Sequence, residues 1–249
     1  MSTHPTAAAG YSSAAGAYER GRPTYPDEAV AYLAAELGLG PAARVLDLAA
    51  GTGKLTRLLA EGGADVVAVE PVAAMRAVLA QEVPGIAVHE GTAESIPLPA
   101  GSVDAVTVAQ AFHWFDADAA LAEIHRVLRP GGGLGLIWNM MDVGVEWVAV
   151  LQELVHGARG SVPAYGPSPW RDAFRSNRQF TPLTERTFAF VHELSEDGLV
   201  DRITSTSYVA ALPDAERQRL LGQVRTLAAG VPHPIRLPYR TDVFSCRRT

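Results

Sequence analysis

The sequence contains very little cysteine: Cys246 is the only one among 249 residues. A single thiol cannot close an intramolecular disulfide, and it cannot build a zinc site that needs several cysteines. The histidines and carboxylates show no metal-ligand spacing either, so the sequence predicts no metal site. We expect Cys246 to be a small apolar residue of a late strand.

Long hydrophobic runs and clustered positive charge are also missing. No run approaches the ~20 apolar residues that a membrane-spanning helix needs, and the first residues lack the pattern of a secretory signal. We therefore expect a cytoplasmic protein with no membrane partner. The net charge is -6, and the only dense basic cluster is Arg247 with Arg248. Nucleic-acid binding needs clustered cations, so no nucleic-acid partner is expected.

The composition and length are those of an ordinary folded protein. Hydrophobic residues make up 48% of the chain and charged residues 19%, which is close to average globular usage. The length fits one large domain with a sizeable core. The small residues 2–16 are expected to fray.

Short β-branched runs alternate with helical periodicity in the first part of the chain. Leu55, Leu58 and Leu59, for example, share one helix face. This alternation is typical of an α/β protein with a parallel sheet, and we predict strands at 44–49, 65–70, 86–90, 103–109 and 133–138.

The regular alternation of strand-like and helix-like segments ends after Asn139. Residues 160–170, "GSVPAYGPSPW", predict a long loop or lid. Residues 199–203 and 214–227 predict helices. Two late strands, at 187–194 and 239–246, enclose these helices and predict an antiparallel pair at one edge of the sheet.

The stretch "VLDLAAGTGKLTRLL", residues 45–59, places a glycine loop between a strand and a helix. A P-loop requires glycine where Leu48 stands and a hydroxyl where Leu55 stands, so that template fails. A dinucleotide fingerprint fails only at Thr56, where close packing needs glycine or alanine. A nicotinamide oxidoreductase therefore stays open at this point.

A third template matches over a longer span. "DLAAGTG" resembles the first motif of the class I S-adenosylmethionine-dependent methyltransferases, with Ala49 in place of the first glycine. Glu70 is similar to the ribose-binding acid of that family, and "GTAESIPLP" to its adenine loop. "AQAFHWFD", "HRVLRPGGGLGLIWN", the head "YERGRPTYP" and the tail "LPYRTDVFSCRR" resemble the small-molecule subgroup with a methyltransferase type 11 domain. Members of this subgroup include the trans-aconitate methyltransferases.

The resemblance implies a doubly wound, Rossmann-like, mostly parallel sheet of seven strands with one antiparallel edge strand and a helical cap. Residues 1–249 would form a single domain, with a cofactor-binding core at 41–139. The cap and substrate pocket would come from 1–40 and 140–236. The implied partner is a small molecule, and the implied state is a monomer or a homodimer.

The resemblance also implies a site for S-adenosylmethionine. Glu70 would accept hydrogen bonds from the ribose hydroxyls, and Val72 with Ile96 would add apolar walls around the adenine. Asp47 would orient the loop or the methionine ammonium, or cap the backbone locally. Ala49 is expected to avoid left-handed geometry, which costs ~1–2 kcal/mol. The expected cofactor-binding residues are Asp47, Ala49, Gly51, Gly53, Glu70, Pro71, Met75, Thr92, Ala93, Glu94, Gln110 and Ala111.

Methyl transfer is an in-line displacement that depends on alignment, so no covalent nucleophile is required. His113 is the candidate general base, and its alternative is a packing histidine beside Trp114. Arginine in the pocket would suit an acidic acceptor such as a carboxylate. The expected substrate-binding residues are Tyr18, Arg22, His113, Trp114, Asn139, Ser207 and Tyr208, and further candidates are Tyr25, Tyr165, Trp170 and Arg202.

Two other functions remain compatible with the same cofactor motifs. The enzyme could cyclise the cofactor itself and release methylthioadenosine. Alternatively, the domain could be a non-catalytic nucleoside-binding scaffold. The presence of Asp47, Gly51, Gly53 and Glu70 together disfavours the scaffold, which has no need of a ribose-binding acid. The cofactor motifs do not separate methyl transfer from cyclisation, because both reactions use the same crevice.

Overall fold

The computed structural model describes residues 16, 18–41, 43–159 and 170–249. Most of the segment expected to fray, residues 2–16, and most of the expected lid, residues 160–170, lie outside these residues. Within the described part, no helix is long and apolar enough to cross a membrane.

Seven strands form one sheet in the order β3-β2-β1-β4-β5-β7-β6. The strands are β1 Arg44–Leu48, β2 Asp65–Val69, β3 Ala87–His89, β4 Val103–Ala109, β5 Leu128–Met141, β6 Thr184–Leu194 and β7 Ile235–Arg247. The first five pair in parallel. β7 pairs antiparallel with both β5 and the edge strand β6. This topology confirms the predicted fold class, including the antiparallel pair at one edge.

Helices cover both faces of the sheet and build a cap beyond its end. They are α1 Asp27–Leu37, α2 Lys54–Glu61, α3 Ala73–Glu82, α4 Ala117–Val127, α5 Glu146–His156, α6 Trp170–Ser176, α7 Glu196–Thr204, α8 Ser207–Ala210 and α9 Asp214–Ala228, with a short 3-10 helix at Phe112–Trp114. Residues 18–21 are also helical. Local capping fixes several of these boundaries. The Asp116 side chain accepts from Ala119 N at the start of α4, and Ser195 accepts from Gly198 N at the start of α7.

Successive side chains of the central strands enter different cores, as the two-residue period of a strand requires. Leu46 packs in the core that includes α4 and α6, whereas Val45 packs in the core that includes α1 and α2. A third cluster joins α5, α7 and α9 to the first residues of β7, Ile235 and Leu237. The cap therefore has a hydrophobic core of its own, and it is attached to the sheet through β7.

Candidate active site

The site lies where the strand order reverses. From β1 the chain crosses to β2 on one side, and β4 occupies the other side. Loops that leave the carboxyl ends of these strands therefore separate and open a crevice, which is the usual ligand site of a doubly wound sheet. The loop after β1 and the loop after β4 form its two walls.

Ala49 and Gln110, the residues that directly follow these strands, both have left-handed backbone geometry, with φ of 57° and 59°. The expectation that Ala49 would avoid this geometry is wrong. The chain must turn sharply there, because the N–H of Ala50 bonds back to the carbonyl of Val69 on the neighbouring strand. Strain of about 1 kcal/mol or more at each residue persists only where the surroundings impose it, which is common at functional sites.

Glu70 directly follows β2 and holds the glycine loop in place. One of its carboxylate oxygens accepts from Gly51 N at 2.9 Å, and the other accepts from Val72 N at 2.8 Å. The side chain lines the crevice although the residue is only 5% exposed. Burial raises the pKa of the Glu70 carboxyl, and the two backbone N–H groups oppose this shift.

The two glycines of the loop have different surroundings. Gly51 lines the crevice, and a Cβ built on it would meet no atom within 4 Å. The space above Gly51 is therefore open. Gly53 caps α2 with φ of 88°, and a Cβ there would lie 3.0 Å from Leu79 Cγ. Gly53 thus allows α2 to pack closely on α3 and does not line the crevice.

Asp47 lies beneath the loop rather than in the crevice wall. It has no exposed surface, and its two oxygens accept from Thr56 Oγ1 at 2.6 Å and Thr107 Oγ1 at 3.0 Å. Burial raises the pKa of this carboxyl to about 6, although the threonine hydrogen bonds act in the opposite direction. These contacts favour the role of orienting the loop.

The crevice, which we call the first cavity, encloses roughly 800 Å³ including its open mouth. Val72 lines it, whereas Ile96 is buried in the neighbouring core. Ten of the twelve residues expected to bind the cofactor line this cavity, namely Ala49, Gly51, Glu70, Pro71, Met75, Thr92, Ala93, Glu94, Gln110 and Ala111.

A second cavity of roughly 860 Å³ adjoins the first, and Tyr18, Gln110 and Trp114 line both. Its floor is the end of β5, and its roof comes from the cap helices. All of the residues expected to bind substrate line it, namely Tyr18, Arg22, His113, Trp114, Asn139, Ser207 and Tyr208.

Three arginines line the second cavity, and none of its described lining residues is acidic. Arg202 is 5% exposed and donates from Nε to Tyr239 Oη. Arg22 donates from Nε to Ser205 Oγ at 3.1 Å. Arg159 follows α5, the helix that forms part of the cavity roof. The concentration of positive charge makes this cavity favourable for an anion.

His113 is partly buried and has its Nδ1 in contact with Trp138. Trp138 Nε1 lies 3.4 Å from Nδ1, which is the acceptor of that hydrogen bond. Burial lowers the pKa of His113 to about 4, and the positive charges of Arg22 and Arg159 contribute to this shift. The ring is therefore neutral near pH 7, with Nδ1 accepting and Nε2 carrying the proton.

Some sequence candidates lie elsewhere. Trp170 packs in the core, stacked on Trp138 at 5.0 Å between ring centroids, and does not line either cavity. Tyr25 is buried against α1 and α2. Tyr165 lies outside the described residues. Cys246 is buried, and burial raises the pKa of its thiol to about 12.

Sequence reasoning missed α5 and, with it, Arg159, Gln152 and His156 of the second cavity. The spacing of Val148, Leu151 and Val155, which are all buried, has the period of an amphipathic helix and would have revealed it. Within the described residues, no cluster of three or more histidines, cysteines or carboxylates could hold a metal ion.

Comparison with known proteins assigns this arrangement to a family. Residues 46–136 match the family described as "Methyltransferase domain". An uncharacterized methyltransferase of Mycobacterium tuberculosis is 44% identical over 238 residues, which are 93% of this chain and 92% of that protein.

Solved structures share the fold. One from Anaeromyxobacter dehalogenans, whose name assigns it to the type II methyltransferases, is 27% identical with a TM-score of 0.64, covering 91% of this chain and 96% of that one. The geranyl diphosphate C-methyltransferase from Streptomyces coelicolor, solved with S-adenosylhomocysteine, is 17% identical with a TM-score of 0.50 and covers 88% of this chain and 76% of that one. On the full-length likeness to the mycobacterial methyltransferase, the chain belongs to the class I S-adenosylmethionine-dependent methyltransferases.

Proposed function

We propose that the first cavity binds S-adenosylmethionine and that the second cavity holds a small-molecule acceptor for its methyl group. The observation that carries this proposal is the junction of the two cavities, because Tyr18, Gln110 and Trp114 line both. A ligand in the first cavity and an acceptor in the second would therefore meet at these three side chains. Such a junction is what in-line transfer requires.

The residues of the first cavity fit a nucleoside. Glu70 accepts one backbone hydrogen bond at each carboxylate oxygen, and each oxygen retains a lone pair for a ribose hydroxyl. The open space above Gly51 allows close approach to the loop backbone. Val72 and Met75, both nearly buried, supply apolar walls for a base.

When bound, S-adenosylmethionine supplies an electrophilic methyl carbon on a positively charged sulfur. The chain contributes position and exclusion of water. Gln110 is held at the junction by its strained backbone and by a hydrogen bond from Nε2 to the carbonyl of Asn139 at 3.2 Å. Tyr18 and Trp114 cover the same point with aromatic surface.

The second cavity favours an acceptor that is already an anion, such as a carboxylate. Arg22, Arg159 and Arg202 supply positive charge, and arginine pairs well with planar carboxylates. A carboxylate has no proton to lose at neutral pH, so its methylation needs no general base.

His113 suits such an acceptor as a hydrogen-bond donor. Its Nδ1 already accepts from Trp138, and its low pKa makes it a weak base. We therefore assign Nε2–H the role of orienting an acceptor oxygen, in place of the general-base role that the sequence suggests.

The remaining parts of the proposal follow the sequence interpretation. Residues 41–139 form the cofactor-binding core, and residues 1–40 and 140–236 contribute the cap and the substrate pocket of a single domain. The enzyme would work in the cytoplasm, as a monomer or a homodimer, on a small molecule.

The experiment is an acceptor screen that also identifies the product of the cofactor. The purified protein is incubated with S-adenosylmethionine and pools of small carboxylic acids, alcohols and amines. Formation of S-adenosylhomocysteine only with acidic pools would support the proposal. Release of methylthioadenosine without an acceptor would instead show cyclisation, and no consumption with any pool would contradict the proposal.

A further inference from the structure

Lys54 is the only lysine of the chain, and it stands in an unfavourable place. It is the first residue of α2, which has no acidic residue in its first turn. A positive side chain at a helix N-terminus is destabilised by the partial positive charge of the helix end. The position therefore needs compensation from another part of the chain.

Glu19 provides that compensation. Lys54 Nζ donates to the Glu19 carbonyl oxygen at 2.7 Å and lies 3.3 Å from Glu19 Oε1. Arg57, one turn further along α2, donates to the same Oε1 at 3.2 Å. The Lys54 and Glu19 side chains are only 14% and 18% exposed. Removing either partner of such a shielded ion pair is strongly destabilising, because it leaves the other charge buried and uncompensated.

Residues 18–25, which we call the N-terminal clasp, connect the sheet to the cap. Gly21 lies directly against α7, and a Cβ at this position would overlap the backbone of Asp201 and Arg202. At its end, the carbonyl oxygen of Thr24 accepts from Asn139 Nδ2 at 3.0 Å. The clasp is thus held at the first turn of α2, at the cap and at β5.

The clasp also covers both cavities. Tyr18 lines the first and the second cavity, and Arg22 lines the second. Tyr18 directly precedes Glu19, so the bonds from Lys54 act on the backbone next to the tyrosine. Displacement of Glu19 would move Tyr18 away from the junction of the cavities.

We propose that Lys54 is a positioning residue, which fastens the N-terminal clasp over the two cavities through Glu19. The inference rests on the proposed function for the identity of the ligand. Lys54 does not line the first cavity, so its effect on the cofactor is indirect. The apparent dissociation constant is inversely proportional to the fraction of molecules in which the clasp is closed. A clasp that is closed in one-tenth of the molecules would therefore weaken binding roughly tenfold.

The clasp has a direct chemical readout. Residues 1–19 contain no lysine or arginine, so Arg20 is the first tryptic site, and the next, Arg22, precedes Pro23 and is resistant. Cleavage after Arg20 requires the helical residues 18–21 to unwind into the protease. The rate of loss of residues 1–20, followed by intact mass, therefore reports opening of the clasp without any ligand.

The test compares Lys54→Met, Lys54→Arg and Glu19→Gln with the control Arg44→Met. Arg44 begins β1, at the end of the strand away from the glycine loop, and pairs with the exposed Asp65 of β2. We expect Lys54→Met and Glu19→Gln to cleave faster after Arg20 and to bind S-adenosylhomocysteine roughly tenfold or more weakly. Lys54→Arg should keep a cleavage rate and an affinity close to those of the wild type, and Arg44→Met should match the wild type in both.

Two results would overturn the inference. One is wild-type cleavage and affinity in both Lys54→Met and Glu19→Gln. The other is a loss of affinity in both variants with no change in cleavage. If circular dichroism shows Lys54→Met to be unfolded, Glu19→Gln decides by the same criteria. Absence of S-adenosylhomocysteine binding by the wild type would contradict the proposed function, whereas the cleavage rates would still test the clasp.

Discussion

Asp47 and Thr56 share a hydrogen bond of 2.6 Å beneath the glycine loop. Thr107 donates to the other oxygen of the same carboxylate at 3.0 Å. Asp47 therefore joins the end of β1 to the first turn of α2 and to β4. A buried carboxylate at this point supports the loop that carries Gly51, although it does not line the first cavity.

The first prediction concerns the pH dependence of stability. Burial raises the pKa of Asp47 from 3.8 to about 6 in the folded state. Its protonation therefore contributes stability that is complete below pH 3.8 and is lost as the pH rises through about 6. Asp47→Asn stays neutral and keeps the shape, so its stability relative to wild type should rise across this range, by at most roughly 3 kcal/mol.

Urea unfolding of both proteins between pH 4 and 7.5 measures this difference. Asp104→Asn is the matched control, because a backbone N–H of Arg44 and the Arg129 side chain lower the pKa of Asp104. Its stability relative to wild type should stay nearly constant over this range, because a carboxylate with a lowered pKa loses its contribution to stability only below the ordinary value of 3.8. If the free energy of unfolding of Asp47→Asn differed from that of the wild type by the same amount at every pH, the pKa of Asp47 in the folded protein would be ordinary.

The second prediction concerns His113. The ring is neutral over the whole working range because its pKa is about 4. We expect His113→Asn to lower kcat by roughly 100-fold, as for loss of an oriented hydrogen-bond donor, with little change in cofactor affinity.

Profiles of kcat from pH 5.5 to 8.5 for both proteins test this role. A wild-type inflection near pH 6.5 that the variant lacks would identify His113 as a titrating base. Equal losses of kcat and cofactor affinity would indicate a structural role.

The third prediction concerns Arg159. If the second cavity binds an anionic acceptor, Arg159→Met should raise KM for the acceptor roughly 10-fold or more, since charge-assisted hydrogen bonds are worth ~1.5–3 kcal/mol. The dissociation constant of S-adenosylhomocysteine should stay unchanged. Arg175→Met is the control, because Arg175 is exposed on α6 and pairs with Asp172. An unchanged KM in Arg159→Met would remove this arginine from acceptor binding.

Local sequence determined most of the first cavity. The loop from Ala49 to Gly53 and the acid at Glu70 directly follow two adjacent strands of a repeating βα pattern, so the fold topology brings them together at the strand ends. Left-handed geometry at Ala49 was not predictable in this way. It depends on the hydrogen bond from the next residue to Val69, which belongs to another strand.

The second cavity depends more on tertiary packing. Arg159 faces the site only because α5 folds back over the end of β5, and nothing near Arg159 in sequence indicates that approach. Lys54 and Glu19, which form a hydrogen bond, are 35 positions apart in the sequence. The sequence pattern around each residue predicts its own local structure but does not indicate that the two segments meet. The sequence can indicate that such a residue has a functional role, but only the folded structure identifies the residue that it contacts.

The central claim is that Glu70 holds the sugar of S-adenosylmethionine in the first cavity. Isothermal titration of S-adenosylhomocysteine into wild type, Glu70→Gln and Glu90→Gln tests it directly. Glu90 is the control because it directly follows β3, the strand beside β2, is 76% exposed in its side chain and pairs with Arg76. We predict binding by wild type and Glu90→Gln, and binding roughly 10- to 100-fold weaker by Glu70→Gln. Equal affinity in all three proteins, or binding of NADH but not S-adenosylhomocysteine, would contradict the account.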